Sequence, residues 1–349
     1  VFGELPKIFD RNFVIAFFLP VATFVAASLG IVYAYDLFPA LLPTLKADLL
    51  IGTTVLGLAV WLGGVILLAT NRDVYRLFEG YWRFNPFRLI AFIERRRYRK
   101  LRKQISVLDA EYNSYDSKGI NPPDELNARR GKLLRREAER FPDREEFLLP
   151  TAFGNTIRAF EVYSRVMYGV ETIEGWSRLT AVIPGRYLKL VDDAKAQTDF
   201  WLNLRVLSYL LIVEYAGASI YTGQLKSVWI PIAALLFALA TAWRAKSAAV
   251  EWGELVKAAF DIYLPSLLAK LQFTFPATKD EEVKLWQEFS QAIIYRWPEL
   301  VPVRVEKRQL TSGVQGRPAG ETEAGDEPEE AGEDKPKDEE ETPEEAVEA

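Results

Sequence analysis

The sequence predicts an all-α integral membrane protein with four transmembrane helices, a helical cytoplasmic domain and a helical hairpin. Three observations carry this prediction. Four apolar segments approach or exceed the length needed to cross a bilayer. The stretches between them have helical periodicity and no useful strand-like alternation. Basic residues crowd onto one side of the apolar segments.

The first span, Asn12 to Tyr35, and the second, Leu49 to Thr70, contain no charged residue. Each meets the requirement of about 20 residues for a hydrocarbon core of about 30 Å. The first is longer than a signal-peptide core and a second span follows at once, so it is read as a span. The third, Val206 to Thr222, carries Glu214 near its middle. The fourth, Val228 to Trp243, is short, and Arg244 and Lys246 extend it by snorkelling. Gly223 to Ser227 joins the last two as a tight hairpin, for which a buried soluble hairpin is the competing reading. The links between spans 1 and 2 and between spans 3 and 4 hold one base each, Lys46 and Lys226, whereas residues 71–200 hold 25 Lys and Arg. The positive-inside rule then puts both termini and the middle region in the cytoplasm.

After span 2, nine bases and one acid, Glu94, lie between Arg83 and Lys103. A juxtamembrane position makes anionic lipid, or a plain topology signal, the expected reading of Arg95, Arg96, Arg97, Arg99, Lys100, Arg102 and Lys103; nucleic acid is disfavoured. Leu101, Ile105, Leu108, Tyr112 and Tyr115 form a narrow apolar seam on a helix broken at Pro122-Pro123, with Asp124 opening a second arm that runs to about Phe141. The seam's partner is that second arm or another protomer. Two further helices are expected at roughly 152–169 and 171–183, ending at Pro184-Gly185. The pattern from Arg186 runs unbroken into span 3, and span 4 runs on until Pro265. A last helix is expected from Asp280 to Trp297. From about Thr311 the composition is that of a disordered acidic tail, and residues 321–349 hold fifteen acids and two bases. The tail is a solubilising segment or docks on the Arg83–Lys103 run. The organisation is therefore 1–70, transmembrane helices 1 and 2; 71–148, basic segment and hairpin; 149–200, cytoplasmic helical domain; 201–244, transmembrane helices 3 and 4; 245–310, cytoplasmic extension; and 311–349, tail.

The net charge of −5 is mostly a property of that tail, since everything before Glu321 sums to +8. With no Cys and no His, thiolate nucleophiles, Ser-His-Asp triads and His- or thiolate-ligated metals are excluded. No motif calls for a cofactor, a metal or a catalytic residue. The chain begins at Val1 and its single methionine is Met167, as expected of a trimmed start or of a Val-type start codon read literally.

Two polar-rich segments stand out. Leu149, Pro150, Thr151, Gly154, Asn155, Arg158, Ala159, Glu161, Tyr168, Gly169, Trp176, Arg178, Leu179 and Pro184 match a pattern LPT..GN..RA.E.Y....YG.....W.RL....P, and a segment from Trp252 matches YG.LV.AAFD.Y with Trp in place of the first Tyr. With these the chain resembles a family of uncharacterised bacterial multi-pass membrane proteins. The resemblance implies four spans and a cytoplasmic helical domain, and implies no activity. A basic residue that often follows the second motif is replaced by Leu264-Pro265, which predicts an earlier bend.

Read from the residues, Asn155, Arg158 and Glu161 share part of a helical face, and Lys257 and Asp261 are spaced for an i,i+4 pair. The two motifs meeting would set Arg158 and Lys257 against Glu161 and Asp261, as a buried locking network or as a ligand pocket. Glu214 in mid-span is an ion or proton site, or a protonated packing contact whose intramolecular partners reduce to Thr23, Ser28, Thr53, Thr54 and Thr241. Ala234, Ala238 and Ala242 form a stripe for close helix approach. The expected function is a non-enzymatic scaffold, sensor or effector coupling a cytoplasmic domain to the membrane, with anionic lipid, a cytoplasmic partner and a second copy of the chain as partners. The alternatives are an oligomeric channel or transporter around Glu214 and a membrane-bound enzyme using the Asn155–Glu161 cluster.

Overall fold

A computed structural model describes residues 10–39, 49–82 and 84–302. Lys46 and the acidic segment from Thr311 lie outside the described residues. Among those described there is no strand, and four helices are long and apolar enough to cross a membrane.

Helix α1 (Arg11–Ala34) contains a π-turn over Val14–Phe18, ending two residues before Pro20. Pro20 has no N–H, so the helical bond from residue 20 to the Ala16 carbonyl cannot form. The Asn203 side chain supplies the missing donor, with Nδ2 2.8 Å from the Ala16 oxygen. Helix α2 (Leu49–Glu79) begins as an apolar span and continues past Thr70 for about two and a half polar turns. Three of its last four carbonyls are taken. Gly80 and Tyr81 N–H donate to Arg76 O, Asn85 Nδ2 donates to Leu77 O, and the Thr151 hydroxyl donates to Phe78 O.

The hairpin is α3 (Ala91–Asp116) and α4 (Asp124–Arg140). Its seam closes on its own second arm: Leu101, Ile105 and Leu126 are buried, and Arg130 pairs with Asp109 at 2.6 Å. Three short helices follow, α5 (Ala152–Glu161), α6 (Tyr163–Tyr168) and α7 (Thr172–Leu179). Then come two long ones, α8 (Gly185–Thr222, 38 residues) and α9 (Trp229–Leu271, 43 residues), and last α10 (Lys279–Tyr295), N-capped by Thr278. α8 and α9 pack along each other. Small residues of α9 let them do so: Ala234 and Ala238 of the expected stripe are buried, Ala242 is half-buried, and Ala245, Ala249 and Ala259 further along are fully buried. The main core lies beyond the apolar spans, where Phe78, Phe153, Phe160, Leu202, Phe260 and Trp286 join the end of α2 to α5, α8, α9 and α10.

Two elements differ from the expectation. α9 does not stop at Pro265 but runs through it to Leu271. Leu264, Leu267 and Leu268 are each at most 3% exposed, and burying that face outweighs the backbone bond that proline removes. The helix expected over 152–169 is split at Val162, because the Thr172 hydroxyl takes the Glu161 carbonyl that would continue the ladder.

Candidate functional site

The LPT..GN segment is a latch between α5 and the end of α2. Thr151 N-caps α5, accepting from Gly154 N at 2.9 Å, while its hydroxyl holds Phe78 O. Asn155, fully buried, grips the backbone of Leu149 twice, accepting from N at 2.7 Å and donating to O at 3.1 Å. Gly154 lies on the α2 backbone, where a Cβ would sit 2.9 Å from Glu79 Cα. Gly80 has φ +98 and faces Pro150, whose Cγ would be 2.1 Å from an added Cβ. Both glycines are needed for this close approach.

The latch brings Arg158 and Glu161 against Glu79 and Tyr81. Arg158 lies 3.3 Å from Glu161, donates to the Tyr81 hydroxyl and covers the Tyr81 ring at 5.8 Å. Its buried Nε has no partner. Burial pushes the Glu79 carboxyl up to about 7, the Glu161 carboxylate adds to the shift, and Arg158 opposes it. Burial also raises Glu161, again opposed by Arg158. Two carboxyls sharing one guanidinium can hold and release a proton near neutral pH, at the point where α2 meets α5.

The sequence-predicted residues divide into separate groups. Lys257 and Asp261 do not pair. Lys257 reaches Glu254 at 2.9 Å and the Ala138 carbonyl at 3.4 Å. Asp261 accepts from the hydroxyls of Tyr163 at 2.9 Å and Tyr168 at 2.8 Å. Burial, and the hydrogen bond to Asp261, push the Tyr163 hydroxyl up to about 12. The four-residue meeting of Arg158, Lys257, Glu161 and Asp261 is therefore replaced by two clusters: Arg158 and Glu161 work with Glu79, and Asp261 with two tyrosines. In the basic run, Arg97 pairs with Glu94, Arg99 with Glu145 and Arg102 with Glu137, while Arg95, Arg96, Lys100 and Lys103 are exposed.

Glu214 accepts from Ser28 Oγ at 2.7 Å, which joins α8 to α1 within the chain. Nearby, the hydroxyls of Tyr35 and Tyr215 both donate to the Lys226 carbonyl, at 2.9 and 2.8 Å, pinning the α8–α9 link to the end of α1.

Sequence reasoning missed Glu79, Tyr81 and Asp199. Glu79 gives no local signal, since its partners are brought in by the latch. Asp199 does: Lys195 and Asp199 are spaced i,i+4 just before span 3, level with Asn71 just after span 2. Asp199, 3% exposed, accepts from Tyr75 at 2.7 Å, Asn71 at 3.4 Å and Lys195 at 2.8 Å, tying α2 to α8. Compared with protein-family models, curated proteins and solved structures, the chain matches none.

Proposed function

We propose that this chain is a non-enzymatic scaffold or sensor that couples a cytoplasmic helical domain to a bacterial inner membrane. The observation that carries the proposal is continuity. α8 and α9 measure about 57 and 65 Å at 1.5 Å per residue, roughly twice a hydrocarbon core, and α2 likewise outruns its apolar stretch. One end of each long helix belongs to the main core. The other end presents apolar side chains outward, and only 28% and 33% of their most apolar windows are buried. A buried soluble hairpin would hide those windows, whereas lipid covers them. The base-poor links at the far end, against 25 bases in residues 71–200, support cytoplasmic termini. A displacement of the membrane-facing ends is thus delivered to the core through rigid elements, and the Glu79–Arg158–Glu161 junction is where α2 transmits it. The Ser28–Glu214 bond supports a packing role for Glu214 within one protomer.

Because the chain has no cysteine, two introduced cysteines are unambiguous spin-label sites. Labels at the exposed Arg72 and Val166 span the junction. Their distance distribution is expected to differ between nanodiscs of phosphatidylglycerol and of phosphatidylcholine, and the difference is expected to disappear in Glu79→Gln. Identical distributions in both bilayers would reduce the protein to a rigid anchor.

A further inference from the structure

Between the hairpin and α9 lies a cavity of about 490 Å³ whose walls carry Arg97, Lys100, Arg136, Arg140 and Lys246. Among the described residues its one carboxylate is Glu94, 5% exposed and already committed to Arg97 at 2.5 Å. Lys100, Arg136, Arg140 and Lys246 reach no carboxylate of the described residues. The Arg140 Nε is fully buried and has no hydrogen-bond partner. Burial and the neighbouring guanidiniums, Arg140 foremost, hold the Lys246 ammonium below its ordinary value.

Such an arrangement is unfavourable when empty. Like charges converge on one space, and a buried cationic donor is left without an acceptor. A multiply charged oxyanion resolves both defects together, and guanidinium forks match phosphate oxygens in geometry. The position adds a constraint: Lys246 lies within one turn of Trp243, where the apolar segment of α9 ends and lipid headgroups would begin. We propose that this cavity binds a phosphoryl group, carried by the headgroup of an anionic phospholipid or by free phosphate. The site shares Arg97 and Lys100 with the basic run, but Arg136, Arg140 and Lys246 come from outside it. It stands whether or not the coupling proposal holds.

The test uses the full chain and thermal unfolding. One arm adds inorganic phosphate, against sodium chloride at matched ionic strength, to protein in a neutral detergent. The other compares nanodiscs of phosphatidylcholine with and without phosphatidylglycerol. A rise in Tm with phosphate, or with phosphatidylglycerol alone, supports the site and identifies the source of the phosphoryl group. Arg140→Gln is expected to weaken the response about tenfold or more in ligand concentration, while raising the Tm of the unliganded protein by relieving repulsion. Lys246→Gln gives a second reading if Arg140→Gln does not fold. Lys132→Gln, an exposed change of equal charge on α4 outside the cavity, is expected to respond like the parent. No Tm rise in either arm, or equal responses in Arg140→Gln, Lys246→Gln and the parent, would overturn the proposal.

Discussion

Glu79→Gln isolates the electrostatics of the junction. The folded chain holds the Glu79 carboxyl at about 7 against an ordinary 4.5, chiefly through burial and then through Glu161. Between those values the folded state binds a proton that the unfolded state releases. Stability from this group is therefore complete below about 4.5 and is lost as pH rises through about 7. A difference of that size corresponds to about 3 kcal/mol at pH 8, and water at the exposed edge of the side chain reduces it to about 2 kcal/mol. Glutamine keeps the shape and remains neutral. The variant is expected to be about 2 kcal/mol more stable than the parent at pH 8 and nearly equal to it at pH 5. Unfolding in mixed micelles with increasing dodecyl sulfate, followed by circular dichroism from pH 5 to 8, measures the difference. The chain has no histidine, so no imidazole titration confuses that window. A variant with the parent's pH slope, or one less stable at pH 8, would refute the reasoning.

Two further changes test the packing that positions this junction. In Asn203→Leu the Ala16 carbonyl loses its donor, at a cost of about 1–3 kcal/mol; Pro20→Ala restores a backbone N–H, so in that background the same change is expected to cost about 1 kcal/mol less, and additivity within about 0.5 kcal/mol in the double-mutant cycle would remove the proline argument. Gly154→Ala forces a Cβ to within 2.9 Å of Glu79 Cα, which is backbone and cannot turn aside; it is expected to lose about 2 kcal/mol and to flatten the pH 5–8 dependence by opening Glu79 to water, and an unchanged pH profile would separate the latch from the carboxyl.

The helices were legible because their signals are local. The uncharged run from Asn12 to Tyr35 announces a helix long and apolar enough to cross a membrane wherever the rest of the chain goes, and the Pro122-Pro123 break between two helical patterns announces a hairpin. Boundaries failed where tertiary contacts overrode local preference. Pro265 marks an ordinary stop, yet burying the face that carries Leu264, Leu267 and Leu268 contributes more than the lost bond costs. Spacing misled at Lys257 and Asp261 for a related reason. An i,i+4 pair is a weak preference of a few tenths of a kcal/mol, and two tyrosine hydroxyls on Asp261 with Glu254 beside Lys257 readily displace it.

Glu214 and Glu79 show where the limit of legibility falls. Both are acids whose partners are distant in sequence. For Glu214 the other apolar spans contain no charge, so only a handful of hydroxyls qualify, and Ser28 is one of them. The poverty of the surroundings makes the answer short. Glu79 lies beyond the apolar stretch, in a region rich in Arg, Glu and Tyr, where many pairings satisfy charge equally well. What selects Arg158 and Glu161 is the latch, and the latch depends on two places where a backbone must come within contact of another chain segment, Gly80 on Pro150 and Gly154 on Glu79. Those glycines are visible in the sequence, but a glycine states only that something comes close, and the identity of the neighbour is a property of the fold. Residues that convert close approach into electrostatics are therefore the last to be read from sequence, and at this junction the close approach itself, through burial, brings the Glu79 carboxyl near neutrality, with Glu161 adding to the shift and Arg158 opposing it.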